Sequence, residues 1–137
     1  MALTHIVDTS VLTRLRSDAV LAVIRPMALA GGLGRAGISD LEVGFSARNA
    51  DEWDRLIGAL EAFERVETTS HHLRRARQVQ RSLAAAGLRG RKVPDLLVAA
   101  AAEEARCGLL HYDADFDLIA SVTGQSVTWV VPAGSID

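Results

Sequence analysis

Short apolar runs alternate along the chain with longer amphipathic stretches, and this rhythm predicts the layout before any single residue is weighed. Runs that stop at polar residues predict strands at Thr4–Val7, Ala36–Ile38, Val66–Thr68, Leu109–Tyr112 and Val127–Val131. The segments between them have helical length and period. Thr9–Arg16 sets Val11, Leu12 and Leu15 on one face, and Asp51–Glu64 repeats Trp53, Leu56, Ile57, Leu60 and Phe63 at a 3.6-residue period. Ala19–Ala30 is apolar almost throughout, which predicts a buried helix closing at Gly31 and Gly32. His71–Ala86 and Leu96–Arg106 are helical up to Gly87 and Gly108, and Asp115–Val122 closes at Gly124. Strands alternating with helices predict an α/β fold with a mostly parallel central sheet of about five short strands flanked by helices. No repeat or linker interrupts the pattern, so residues 1–137 are expected to form one domain.

Composition narrows the setting. A chain of 137 residues buries roughly two-thirds of its unfolded surface and folds without staples. The single cysteine, Cys107, excludes an internal disulfide or a cysteine zinc site and fits a reducing cytoplasm. No apolar run reaches the roughly 18 residues of a membrane span, and the opening MALTHIVDTS lacks the pattern of a secretory signal. The net charge of −2 conceals an uneven distribution. Residues 71–92 carry seven Arg or Lys and no acid, whereas 93–137 carry seven acids against one Arg. An acidic site beside a basic surface suits a phosphate-bearing substrate reached through a metal ion.

Several motifs mislead. Gly32-Leu33-Gly34-Arg35-Ala36-Gly37 matches the dinucleotide fingerprint by letter, but it follows a helix and is expected to be a flexible loop leading into a strand. Asp113, Asp115 and Asp117 resemble the start of a calcium loop, yet Leu118 and Gly124 stand where Gly and Glu are required. His71 and His72 point about 100° apart on a helix and make no metal pair; both are expected at a solvated helix start. His5 and His111 lie on predicted strands close to acids and are either polar supports for them or plain exposed side chains, with exposure the expectation.

The chemistry concentrates in four acids. Asp8 follows the first predicted strand, Glu42 lies one turn into the helix after Ala36–Ile38, Asp95 opens a helix behind Pro94, and Asp113 follows Leu109–Tyr112. In an open α/β sheet ligands bind beyond the carboxyl ends of the strands. Each acid also has an ordinary explanation as a helix cap, with Ser39-Asp40-Leu41-Glu42 reading as a capping box. If the four converge, their repulsion calls for a cation, and carboxylates suit Mg²⁺ or Mn²⁺ with substrate phosphate as a further ligand. That combination points to metal-dependent hydrolysis at a phosphodiester with an activated water.

The stretches HIVDTSVL, ISDLEVGFSARN, VPDLLVAAAAEEA and LLHYDADFDLIA, in this order and spacing, resemble the PIN-domain endoribonucleases, and among them the VapC-type toxins of bacterial toxin–antitoxin pairs. The resemblance runs from Ile6 to the strand near Trp129. It implies a PIN-like fold and an acidic quartet of Asp8, Glu42, Asp95 and Asp113 that holds Mg²⁺, with Mn²⁺ as substitute. Asp115 is an auxiliary, and Ser10 matches the small polar residue two after the first Asp. The implied activity is cleavage of RNA that leaves a 3′-hydroxyl and a 5′-phosphate. The implied partners are a VapB-type antitoxin and a second copy of the chain. In the alanine run Ala99–Ala102 the sequence lacks a hydroxyl residue that many relatives carry there.

Arg89, Arg91 and Lys92, just before Asp95, are read as contacts to the RNA backbone. Arg74, Arg77 and Arg81 share a helix face and either join them or form a solvated surface. Leu12, Leu15, Trp53 and Leu56 are either core or an antitoxin groove. The alternative to an enzyme is a catalytically silent α/β module that binds RNA or protein. A phosphatase-like use of Asp8 lacks the second Asp that its motif requires.

Overall fold

The structure is a computed structural model describing residues 2–88 and 91–137. Five parallel strands form its sheet: β1 (His5–Val7), β2 (Leu33–Ala36), β3 (Glu64–Val66), β4 (Gly108–His111) and β5 (Val127–Trp129). Their order is β3-β2-β1-β4-β5, with β1 at the centre pairing His5 with Leu33 on one side and Ile6 with Leu109 on the other. Among the described residues, seven helices connect and flank them: α1 (Thr9–Leu12), α2 (Asp18–Leu29), α3 (Gly37–Gly44), α4 (Ala50–Gly58), α5 (Ser70–Ala85), α6 (Val93–Glu104) and α7 (Asp115–Thr123).

Successive residues of a strand point to opposite faces, and the central strands use this to build two cores. Ile6 and Leu109 pack with Leu97, Val98, Phe116 and Ile119 under α5, α6 and α7. Their neighbours Val7 and Leu110 pack on the other face with Val11, Val20, Ile24 and Leu33. A parallel sheet buried on both sides explains why its strands read as short, nearly continuous apolar runs. It also aligns the carboxyl ends of β1, β2 and β4, where the helices carrying the acids begin.

The structure corrects several expectations. The strand expected at Ala36–Ile38 lies at Leu33–Ala36, and the helix begins at Gly37. The glycine-rich stretch is therefore a buried strand, not a flexible loop. Gly34 is required by close approach, because a Cβ there would meet Leu3 Cδ1 at 2.8 Å and the Glu64 carbonyl at 3.1 Å. With the helix starting earlier, Ser39 stands inside it and no side chain caps its start, so there is no capping box at Ser39–Glu42. Helix α2 buries only Val20 and Ile24, and Leu29 is 84% exposed, so it lies against one core by a single stripe. Finally, His72 and His111 are buried, not solvated. His72 completes a capping box with Thr69 and bonds Glu104 at 2.9 Å.

Within β2, Arg35 is buried and bonds both oxygens of Asp40 at 2.6 and 3.2 Å as well as the carbonyls of Leu60 and Phe63. The fork geometry of a guanidinium suits this four-acceptor cage, which ties the start of α3 to the turn before β3.

Candidate active site

Asp8, Glu42, Asp95 and Asp113 line one cleft of about 230 Å³ at the carboxyl end of the sheet. Thr9, Ser10, Arg14, Lys92 and Tyr112 complete its walls. Three of the acids reach it from helix starts, and Glu42 from within α3. Asp8 is the N-cap of α1, accepting the Ser10 N–H at 2.9 Å through Oδ2. Asp95 sits in the first turn of α6, behind Pro94. Asp113 accepts the Asp115 N–H at 2.9 Å in the turn before α7. Glu42 projects from α3 and accepts a 2.7 Å hydrogen bond from Thr9 Oγ1. Capping accounts for one oxygen of Asp8; it leaves the other unexplained.

That remainder is the informative part. Asp8 Oδ1 and Asp95 Oδ2 are buried without a hydrogen-bond partner, in residues only 2% and 3% exposed. Buried carboxylate oxygens are normally satisfied, because leaving one bare costs about 1–3 kcal/mol or more. Burial pushes the Asp8 carboxyl up to about 6, with hydrogen bonds from Ser10 opposing and the charge of Glu42 adding. Burial, then the charge of Asp8, pushes Asp95 up to about 7. Asp113 moves the other way: burial raises it, but the Lys92 hydrogen bond and the Asp115 N–H more than offset this. Lys92 is raised in turn by its bond to Asp113.

Asp95, Asp113 and Asp115 each offer an oxygen within 4.8 Å of the others, a set that could hold a metal ion. The hard oxygen donors and the two bare buried oxygens fit a divalent cation such as Mg²⁺. The residues present therefore suit the group that the acidic quartet implies.

The structure brings together Asp8, Glu42, Asp95 and Asp113, with Asp115 adjoining. Ser10 supports the cleft from below: its Oγ accepts the Tyr112 N–H at 2.8 Å, joining α1 to the end of β4. Arg91 donates to Asp115 at 2.8 Å, and Lys92 Nζ lies 2.7 Å from Asp113 Oδ2. Both thus face the acids. Arg89 lies outside the described residues.

Two supporting residues, Thr9 and His111, were passed over or set aside in the sequence. The Thr9 hydroxyl, 2.9 Å from Ser39 Oγ and 2.7 Å from Glu42, anchors the one acid that comes from mid-helix. His111 accepts the Asp113 N–H through Nδ1 at 3.2 Å, and burial holds its imidazole below the ordinary pKa. Its ring is wedged between Phe116 and Trp129. A threonine next to a capping Asp reads only as a helix start, and a histidine on a strand reveals neither its depth nor its partner.

This sheet, with carboxylates gathered beyond its strand ends, defines a nuclease-like α/β domain, and comparison assigns it. The PIN domain family model matches residues 5–122, and the chain belongs to the PIN-domain family. It is 58% identical over 137 residues to Ribonuclease VapC51 of Mycobacterium tuberculosis, covering all of both chains. It is 38% identical to Ribonuclease VapC21 of the same organism, over 98% of this chain and 99% of that one. Among solved structures, VapBC2 from Rickettsia felis bound to a promoter DNA fragment superposes with a TM-score of 0.76. It is 12% identical and covers 92% of this chain and 98% of that one, a likeness of fold.

Proposed function

We propose that this chain is the ribonuclease toxin of a VapBC-type toxin–antitoxin pair, a hydrolase acting on RNA phosphodiesters as one domain in the cytoplasm. The observation that carries the reading is the pair of bare, buried carboxylate oxygens on Asp8 and Asp95 in a cleft shared with Glu42 and Asp113. The full-length identity to named VapC ribonucleases supports the substrate class.

Asp8, Asp95 and Asp113, with Glu42, would hold Mg²⁺, for which Mn²⁺ can substitute, and Asp115 assists from the rim. A bound divalent ion supplies neutralisation of the phosphoryl oxygens and lowers the pKa of water. The chain supplies the rest. Ser10 and Tyr112 fix α1 against β4, so Asp8 and Asp113 keep their separation without relying on the ion. Thr9 holds the Glu42 carboxylate toward Asp8. Beginning at helix N-termini favours the ionised form of Asp8, Asp95 and Asp113, in opposition to burial. RNA phosphate meets Arg91 and Lys92, which face the acids, and Arg89 is read from the sequence as a further contact, with the product ends a 3′-hydroxyl and a 5′-phosphate.

The antitoxin has a ready surface. A groove of about 730 Å³ runs between α1, α3 and α4, with Leu12, Leu15, Val43, Leu56 and Leu60 as its apolar lining and Arg16, Arg48, Glu52 and Arg55 as its charged lining. Thr13 lines both this groove and the acidic cleft, so a VapB-type segment seated there extends to the acids. Leu41 on α3 and Phe45 just past its end, both exposed, offer a face for a homodimer. No helix among the described residues is long and apolar enough to cross a membrane.

Induced expression in a bacterial host tests the reading. Wild type arrests growth and the antitoxin encoded beside it restores growth, while Asp8→Asn and Asp95→Asn, expressed to equal levels, are harmless. Arrest by both variants as strong as by wild type would overturn the assignment of the acids.

A further inference from the structure

Lys92 is the one lysine in the chain, and it sits among the acids. Its Nζ is 2.7 Å from Asp113 Oδ2 and 3.7 Å from Asp95 Oδ2. The second of these is the oxygen that is buried and has no hydrogen-bond partner. The lysine itself is 60% exposed along its side chain, reaching inward from the residue that precedes α6. The other charged groups near it are fixed: Arg91 is committed to Asp115, and Arg14 bonds the Ser10 carbonyl and Asp137. Among the described residues, Lys92 is thus the movable cation of the cleft, on a flexible four-carbon stem with an open path to solvent.

We propose that Lys92 is an internal counter-cation that occupies part of the divalent-metal site and must leave Asp113 before a metal ion can bind there. The inference rests on the reading of the acids as a metal site. The argument is one of shared ligands. An ammonium and a divalent ion both need Asp113 Oδ2 and the Asp95 carboxylate, and two cations held within a few ångströms on the same oxygens repel. In the metal-free protein Lys92 partly compensates a cluster that would otherwise carry several uncompensated charges. Once displaced, the ammonium swings to the cleft mouth, where an incoming phosphate would meet it. Metal affinity in this chain is accordingly set weaker than the carboxylates alone would give, and Lys92 acts as a positioning residue for Asp113.

Two measurements test this without RNA. Calorimetric titration of Mn²⁺ into antitoxin-free wild type, Lys92→Met and Lys92→Arg near neutral pH reads the competition directly. Lys92→Met is expected to bind Mn²⁺ roughly three- to tenfold more tightly than wild type, and Lys92→Arg about as wild type does. Because Lys92 is the only side-chain amine, acetylation by an activated ester followed by mass spectrometry reads its release. Saturating Mg²⁺ is expected to speed acetylation at Lys92 severalfold in wild type and leave the rate unchanged in Asp113→Asn. Equal Mn²⁺ affinity in wild type and Lys92→Met, with an acetylation rate indifferent to Mg²⁺, would overturn the proposal while leaving the metal site standing. Absence of Mn²⁺ binding to every folded variant would remove the metal site and this inference with it. Binding to Lys92→Met alone would establish the competition in its strongest form.

Discussion

Removing the Asp95 carboxylate should make the metal-free protein more stable, which is the opposite of what a structural cap would do. In the unfolded chain Asp95 titrates near its ordinary 3.8, and in the folded protein near 7. At about 1.4 kcal/mol for each pH unit, holding it ionised in the fold costs roughly 4 kcal/mol. Part of that is repulsion shared with Asp8, so an isosteric Asp95→Asn should recover about 2–3 kcal/mol. Between pH 4 and 7 the folded state binds a proton that the unfolded chain does not, so wild-type stability falls as pH rises through this window. The advantage of the variant is therefore full at pH 8 and less than half as large at pH 5. For a chain of this size 1 kcal/mol moves Tm by about 3–4 °C, giving a gain of roughly 6–12 °C at pH 8. Thermal melts followed by circular dichroism in EDTA, at intervals from pH 5 to 8, provide the assay. A variant less stable than wild type at pH 8, or an advantage that does not change with pH, would refute the reasoning.

Other consequences follow from single contacts. Thr9→Val removes the donor to Glu42 while keeping shape, and RNA-cleavage turnover should fall roughly ten- to hundredfold with little change in the urea midpoint. Arg35→Met strands Asp40 and two carbonyls in the interior and should destabilise by about 3–5 kcal/mol in urea unfolding, whether or not metal is present. Leu56→Asp places a carboxylate among the apolar lining of the groove and should weaken capture of the antitoxin at least tenfold by biolayer interferometry, leaving metal binding unchanged.

Asp8, Asp95 and Asp113 were legible in the sequence because each sits at a helix start fixed by local chemistry: a strand end or a proline. Glu42 was placed on the right helix for the wrong reason. The helix begins at Gly37, and what aims the side chain is Thr9, more than thirty residues away in sequence. The boundary of β2 was misread because glycines in a row suggest a loop, whereas Gly34 is there to let Leu3 and the Glu64 carbonyl approach. The seating of Arg91 and Lys92 on the acids is likewise a product of tertiary folding, since the loop before α6 meets the turn after β4 only in the finished sheet. His111 shows the same limit: alternation along a strand gives the face, and neighbouring helices decide the depth.

The central claim, that the four converging acids cut RNA with a divalent ion, is tested most directly by mapping RNA ends. Purified antitoxin-free protein is incubated with total bacterial RNA in Mg²⁺ or in EDTA, and new 5′-phosphate ends are captured by ligation and sequenced. Discrete new ends from wild type in Mg²⁺, absent in EDTA and absent with Asp8→Asn or Asp113→Asn, are the predicted result. New ends of the same sequence and abundance from Asp8→Asn, or from wild type in EDTA, would contradict it.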